Sequence, residues 1–169
     1  MSGGGNVLTA EIRDNQIIDC ADGIESFLDE TPFSSLRLEI TGNTIDSPSD
    51  QGDGWGRGYG ITLQAGYGPV NVFEALIEGN TILNPEKDGM SFILTNGTDN
   101  SVNLDAGGGG LGSAGQNRII GSEGADIVAD GVAVSATNNW WGSNTGPELV
   151  LEINGGTVDV DPFLTSDPN

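Results

Sequence analysis

The stretches LEITGNTID, residues 38–46, and ALIEGNTIL, residues 75–83, repeat one pattern, in which alternating apolar and polar residues lead to an asparagine that isoleucine follows two positions later. Alternation with period two places the two sets of side chains on opposite faces of a β-strand. Related stretches surround three further asparagines. The five marker asparagines are Asn15, Asn43, Asn80, Asn117 and Asn139. The chain is therefore predicted to use one structural unit about five times.

Three columns of small or apolar residues appear when the five units are aligned on the marker asparagines. Two positions after the marker stand Ile17, Ile45, Ile82, Ile119 and Trp141. Three positions before it stand Ile12, Ile40, Ile77, Ala114 and Ala136, and five positions before it stand Ala10, Leu38, Ala75, Gly112 and Val134. Because each column is small or apolar in every unit, we expect all three to face one core.

A second strand is predicted in four of the units. It follows a glycine as GIESF from Gly23, GITLQ from Gly60 and GMSFI from Gly89, and ADIVAD (125–130) takes its place in the fourth unit. Strands that recur at intervals of 22 to 37 residues, with no helical pattern between them, are typical of a parallel solenoid, in which each strand stacks on its equivalent one turn later. The longer intervals are expected to extrude loops, such as 47–59 and 95–101.

The marker asparagines are predicted to be structural and not catalytic. Identical amides one coil apart can hydrogen-bond to each other and to the backbone of the turn. Asparagine also tolerates the left-handed backbone conformation, so we expect these residues to occupy the bends between strands.

With these residues in view, the chain resembles the right-handed parallel β-helix repeat proteins, the pectate-lyase-like solenoids. GNTI, at 42–45 and 79–82, looks like their coil motif, and the segments 102–119, 138–147 and 156–164 are similar to the closing coils of exported members. The resemblance implies an all-β, right-handed, single-stranded parallel β-helix of about five coils with a C-terminal cap, from an extracellular or cell-surface protein. It implies no particular activity, because such scaffolds serve lyases, hydrolases, adhesins and structural rods.

The expected domain organisation has three parts. Residues 1–5 form a flexible leader or spacer, residues 6–164 form the β-helix, and residues 165–169 form a tail. Within the β-helix, residues 138–164 are the closing coil and cap. Trp141 is expected to close the core there, since the last coil has no neighbour to bury its apolar face.

Composition restricts the partners. The chain has 25 acidic and 5 basic residues, a formal charge of −20, no histidine and one cysteine. Such a charge opposes phosphate backbones and anionic lipid surfaces, so no nucleic-acid partner is expected. No apolar run approaches the ~20 residues that span a bilayer, so membrane insertion is not expected either. The absence of histidine removes the commonest general base and leaves Cys20 without an activating partner.

The loop SDQGDGWGRGY, residues 49–59, is the candidate ligand site. Carboxylate oxygens suit calcium, aromatic rings stack on sugars, and an arginine can pair a carboxylate. The candidate ligand-binding residues are Asp50, Asp53, Trp55, Arg57 and Tyr59. No cofactor and no dedicated metal site are expected, with calcium as the one candidate ion.

Two functions remain open. The favoured one is a non-catalytic module with a structural or carbohydrate-associated binding role, with polysaccharide as the candidate partner. The alternative is the C-terminal part of a polysaccharide lyase or glycoside hydrolase, although neither an arginine or lysine base opposite calcium-binding acids nor a carboxylate pair is recognisable. Self-association through the open edge of the first coil is a further hypothesis. The sequence does not identify the ligand, the oligomeric state or the length of the parent protein.

Overall fold

The fold is built from short β-strands in the described part of the chain. The computed structural model describes residues 7–28, 35–50, 52, 57–66, 72–95 and 101–168. Those residues contain fifteen strands: β1 (Val7–Arg13), β2 (Gln16–Ile18), β3 (Ile24–Leu28), β4 (Ser35–Thr41), β5 (Thr44–Asp46), β6 (Ile61–Ala65), β7 (Val72–Glu78), β8 (Thr81–Leu83), β9 (Met90–Leu94), β10 (Ser101–Asp105), β11 (Arg118–Ile120), β12 (Ile127–Asp130), β13 (Ala133–Ser135), β14 (Val150–Ile153) and β15 (Thr157–Asp159). Nothing helical in this part of the chain is long and apolar enough to cross a membrane.

The strands pair in parallel and stack into three sheets, with each neighbour one coil later. The sheet orders are β1-β4-β7-β10-β13-β15, β2-β5-β8-β11 and β3-β6-β9-β12-β14. Successive strands along the chain therefore lie in different sheets, and the chain returns to the first sheet once per coil. The protein is a parallel β-helix, as the repeat predicts.

The inward columns fill the space between the three sheets. Ile40 pairs in register with Ile77, and Ile45 pairs with Ile82. All four side chains are fully buried, as is Ile119 in the next coil. Burial of one such side chain contributes about 1.5–3 kcal/mol, so the stacked isoleucines are a principal stabilising element.

The predicted alignment of the fourth coil is wrong. Leu104 pairs with Ala75 on one side and with Val134 on the other, so β10 is the strand that occupies the column predicted for Gly112. Ala106, fully buried, fills the next core position instead of Ala114. Residues 107–116 are an inserted loop, whose small side chains imitate a strand column in the sequence.

A buried carboxylate organises that inserted loop. Asp105, fully shielded from solvent, accepts hydrogen bonds at Oδ1 from the backbone N–H groups of Gly107 (3.0 Å) and Gly109 (2.9 Å). Its Oδ2 accepts two more, from Leu111 (2.9 Å) and Ser113 (3.2 Å). Four donors satisfy the lone pairs that burial would otherwise leave unpaired, so the loop closes on this one side chain.

The marker asparagines form a continuous ladder of amides. Asn43 Nδ2 donates to Asn80 Oδ1 at 3.0 Å, and Asn80 Nδ2 donates to Asn117 Oδ1 at 3.0 Å. Asn15 and Asn139 extend the ladder at its two ends, each bond being 2.9 Å long. Each accepting Oδ1 also receives the backbone N–H of the asparagine one coil earlier, so the ladder ties both side chain and backbone of adjacent coils.

The bend itself is not made by these asparagines, contrary to the prediction. The left-handed residue is the one immediately before each, with φ between 55° and 65° at Asp14, Gly42, Gly79, Gln116 and Asn138. The preceding residue turns the backbone, and the asparagine side chain is then free to stack inside the turn. We call this turn, between the first and second sheets, the first corner.

The two ends of the stack differ. At the C-terminal end Trp141 is 3% exposed and packs in the core. The last residues cross this end, where Leu164 N donates to the carbonyl of Asn139 at 2.9 Å. In the first coil, by contrast, Leu8 pairs with the buried Leu36 yet is 60% exposed. Self-association through that end stays a prediction, and a monomer in sedimentation at high concentration would count against it.

Candidate functional site

The predicted ligand loop is described only in part. Asp53 and Trp55 lie outside the described residues. Asp50, Arg57 and Tyr59 are described and half-buried, and of these three Arg57 and Tyr59 line the same cleft.

Asp50 takes part in the closure of its own loop. Its backbone N–H donates to Glu86 Oε2 at 2.8 Å, and its Oδ1 accepts from the backbone of Gly52 at 3.0 Å. It does not line the cleft that contains Arg57 and Tyr59. Among the described residues no group of three or more metal-ligating side chains is found.

Arg57 and Tyr59 lie together in a surface cleft of about 240 Å³, which we call the β6 cleft. Asp22, in the preceding coil, fixes this part of the chain. Its Oδ1 accepts hydrogen bonds from the backbone N–H groups of Gly58 at 2.9 Å and Tyr59 at 3.1 Å. The polar residues that line the cleft are Asp22, Glu25, Arg57, Tyr59, Thr62 and Gln64.

The floor of the β6 cleft is the outer face of the third sheet. Glu25 on β3 pairs with Thr62 on β6, and Gln64 on β6 pairs with Ile93 on β9. Adjacent strands lie ~4.8 Å apart, so these side chains form rows that cross the strands. Together the rows expose hydrogen-bond donors, hydrogen-bond acceptors and the apolar side chain of Ile93 to the space inside the cleft.

The electrostatics of the β6 cleft keep Tyr59 neutral. Burial raises the pKa of the Tyr59 phenol above its usual value, and the negative charges of Asp88 and Asp22 raise it further. The hydroxyl group is therefore protonated at neutral pH and can both donate and accept a hydrogen bond. Asp22 and Glu25 add acceptors to the cleft, and Arg57 adds donors.

The turn between the second and third sheets contains a set of acids that the sequence analysis did not predict. We call this turn the second corner, and it comprises the described residues within 19–23, 47–60, 84–89, 121–126 and 141–149. Like Asp22, Asp88 accepts a backbone N–H of the next coil, that of Ala125, at 2.8 Å. Asp126 Oδ2 accepts from Glu148 N at 2.7 Å. A signal was present, because Asp22 and Asp88 each precede the glycine that opens a predicted strand.

Two of these acids have perturbed ionisation. Burial raises the pKa of Asp88, and the bond from Ala125 and the charge of Lys87 offset it in part. Burial likewise raises the pKa of Asp126, against the bonds donated by Glu148 and Leu149. Carboxylates held in this way stabilise one coil on the next at a cost in desolvation.

Cys20 shows no sign of activation as a nucleophile. Burial raises the pKa of its thiol, and the charges of Asp22 and Asp19 raise it further, while a backbone hydrogen bond lowers it. The thiolate that nucleophilic chemistry needs is thereby disfavoured.

The comparisons with known proteins give one match. A family model described as "Protein of unknown function (DUF1565)" matches residues 5–147. No curated protein and no solved structure matches the chain.

Proposed function

Because the chain belongs to the DUF1565 family, whose description assigns no activity, we propose from the geometry of the β6 cleft that it is a non-catalytic β-helix module that binds an uncharged polysaccharide. The observation that carries this proposal is the convergence of Arg57 and Tyr59 on the polar rows of Thr62 and Gln64.

The chemistry of the cleft suits sugar hydroxyl groups. Each hydroxyl donates one hydrogen bond and accepts others, and the cleft offers both donors and acceptors within about 240 Å³. The Tyr59 ring and Ile93 supply apolar contact of the kind that packs against the C–H face of a pyranose.

The ligand is uncharged because the cleft already contains its own negative charges. Asp22 and Glu25 lie beside Arg57, and the whole chain has a formal charge of −20. A uronate carboxylate would compete with these two acids for the one guanidinium group and would be repelled by the field of the protein.

The proposal also covers the handedness of the winding, the kind of solenoid and the location of the protein. The winding is right-handed, as in almost all parallel β-crossovers, and the solenoid is of the pectate-lyase-like kind. The module acts outside the cell, where polysaccharide is encountered.

The proposal is tested by affinity electrophoresis in gels that contain neutral or acidic polysaccharides, with and without calcium. We expect retardation in neutral polysaccharide that does not depend on calcium and is largely lost in Tyr59→Ala and in Gln64→Ala. Gln16→Ala is the matched control, since Gln16 lies on β2 in the second sheet and does not line the cleft. Circular dichroism checks that each variant is folded.

The same samples are assayed for new reducing ends and for unsaturated ends. Release of either would overturn the non-catalytic function and favour the alternative of a hydrolase or lyase fragment. Retention only by acidic polysaccharide would contradict the proposal that the ligand is uncharged. Equal retention of wild type and Gln64→Ala would contradict the proposal that the β6 cleft binds it.

A further inference from the structure

The N-terminal end of the stack exposes a layer of the apolar core. Leu8 pairs in register with Leu36, which pairs with Phe73, and the latter two are buried. Leu8 therefore occupies a core column whose outer side no described coil covers. The four most exposed large apolar side chains among the described residues all belong to this first coil, namely Val7 (70%), Leu8 (60%), Ile18 (57%) and Phe27 (53%).

The same end presents a free strand edge. Among the described strands, β1 pairs on one side only, with β4. Ala106 occupies the core position that Ile12 has in the first coil, and its backbone N–H donates to the next coil, at Ser135 O, over 2.7 Å. Successive N–H groups of a strand point to opposite edges, so those of Thr9 and Glu11 point away from β4.

The C-terminal end, by contrast, is closed by its own chain. Glu152 pairs in register with the fully buried Ala129, so a carboxylate stands in a core column. Its Oε1 accepts the backbone N–H of Val158 at 2.7 Å, and residues beyond β15 cross this end. An inward-pointing charge at a sheet edge opposes pairing with another chain. The N-terminal end of one copy therefore does not match the C-terminal end of another.

We propose that two copies of this chain associate through their first coils, with β1 of each antiparallel to β1 of the other and Ala10 on the twofold axis. All seven residues of β1 are paired in this register. Leu8 lies opposite Ile12 of the second copy, so both core columns continue across the interface. Glu11 lies opposite Thr9 of the second copy, and no two like charges face each other.

Other registers are less favourable. A shift by one residue would turn the apolar side chains of one copy away from the core of the other. A pair centred on Glu11 would place two carboxylates opposite each other. A pair centred on Thr9 would leave Ile12 and Arg13 beyond the end of the partner strand.

The charge of the protein sets the conditions for association. Each copy has a formal charge of −20, so two copies repel each other at low ionic strength. Arg13 forms ion pairs with Glu39 and Glu11, which offset the acids nearest to the interface. Salt screens the remaining repulsion and leaves the apolar contact intact, so association is expected to strengthen as ionic strength rises.

The interface is separate from the β6 cleft and does not rest on the function proposed for it. No residue of β1 lines that cleft. A variant that loses association through β1 is therefore expected to keep its retention by neutral polysaccharide, and the two proposals can fail independently.

The test is sedimentation equilibrium of the whole chain over a wide range of concentration, at low and at high ionic strength. We expect a reversible monomer–dimer equilibrium that is tighter at high ionic strength. Leu8→Asp should weaken dimerisation by at least about a hundredfold, because each dimer loses two apolar side chains from its contact. Ile18→Asp is the matched control, since Ile18 is similarly exposed in the same coil but pairs in register with Asp46, outside the core columns. Its dimer should persist.

The register is tested by disulfide cross-linking in a Cys20→Ser background. Ala10 directs its backbone groups to β4, so the two copies of Ala10 form a non-hydrogen-bonded pair with Cα atoms about 4.5 Å apart, within the range of a disulfide. Ala10→Cys should therefore form a covalent dimer under mild oxidation. Thr9→Cys should not, because its equivalent in the second copy lies more than about 7 Å away.

Four results would overturn the proposal. One is a monomer at every concentration and both ionic strengths, as expected if residues 1–6 of the same chain cover the first coil. Another is a series of oligomers that grows with concentration, which would indicate head-to-tail association. The third is an equal effect of Leu8→Asp and Ile18→Asp. The fourth is cross-linking of Thr9→Cys in place of Ala10→Cys.

Discussion

The first and second corners of this β-helix hold adjacent coils together through different side chains. At the first corner one residue type recurs in all five coils, and its amides bond only to the protein, at 2.8–3.2 Å in the coil of Asn80. At the second corner carboxylates such as Asp22 and Asp126 hold the next coil by its backbone, and the loops vary in length. The β6 cleft lies where the second corner meets the outer face of the third sheet.

The difference between the corners indicates which part of this solenoid can bind a ligand. A ladder whose donors and acceptors are all paired internally offers nothing to a ligand, whereas a corner with loops of unequal length leaves gaps and outward polar groups. We therefore interpret the first corner as architecture and the second as the functional side of the molecule.

The largest loss of stability is expected when the asparagine ladder is broken in its middle. Asn80→Ala removes an amide that is fully buried, and with it the acceptor of the Asn43 backbone N–H and the side-chain donor to the carbonyl of Ile40. We expect the free energy of unfolding in urea to fall by about 3–5 kcal/mol. Asn15→Ala, at the exposed end of the ladder, should cost about 1 kcal/mol. Equal losses in the two variants would contradict the ladder as the main support of the first corner.

A smaller loss of stability is expected at a close approach between coils at the second corner. A Cβ added to Gly60 would clash with the carbonyl oxygen of Gly89 and with Ile82 Cγ2. Gly60→Ala should therefore cost about 1–3 kcal/mol through overpacking. Gly79 at the first corner, with φ of 63° and open space around it, is the comparison. Gly79→Asn should change stability by less than about 1 kcal/mol, because asparagine accepts this conformation. A similar loss at both glycines would show that backbone conformation, and not close contact, limits the second corner.

The smallest effect is a pH dependence confined to the second corner. Burial raises the pKa of Asp126, so the folded state binds that proton more tightly than the unfolded state. Its contribution to stability is then fully present below the ordinary carboxyl pKa of about 4, and it is lost as the pH rises through the raised value. The amide introduced by Asp126→Asn cannot titrate, but its carbonyl oxygen can still accept the bond from Glu148.

We therefore expect the stability of wild type relative to Asp126→Asn to decrease from acidic to neutral pH. Urea unfolding across this range measures the trend, and Asp130→Asn is the control for removal of one negative charge. A difference that grows with pH would show that the charged form of Asp126 is the stabilising one.

The sequence predicted the asparagine ladder and most of the core well because both repeat, but it placed the bend of the first corner one residue too late. The isoleucine column and the strands that begin at Ile24, Ile61 and Met90 lie where alternation and spacing indicated. It misplaced the fourth coil because the glycine-rich loop held by Asp105 has small residues at the positions where a strand column was expected.

The second corner was less predictable because its geometry depends on contacts between coils. The loop that contains Arg57 and Tyr59 was identified from its residue types, but its partner Asp22 lies 36 positions from Gly58. Trp141 was expected to close the core, and it packs there.

The most direct test of the claim that the second corner is the functional side is a map of backbone amide shifts during titration with a neutral oligosaccharide. We expect the perturbed amides to cluster at residues 22–25 and 57–64, with the marker asparagines unaffected. Perturbations centred on the first sheet or the asparagine ladder, or none with any neutral oligosaccharide, would contradict the account.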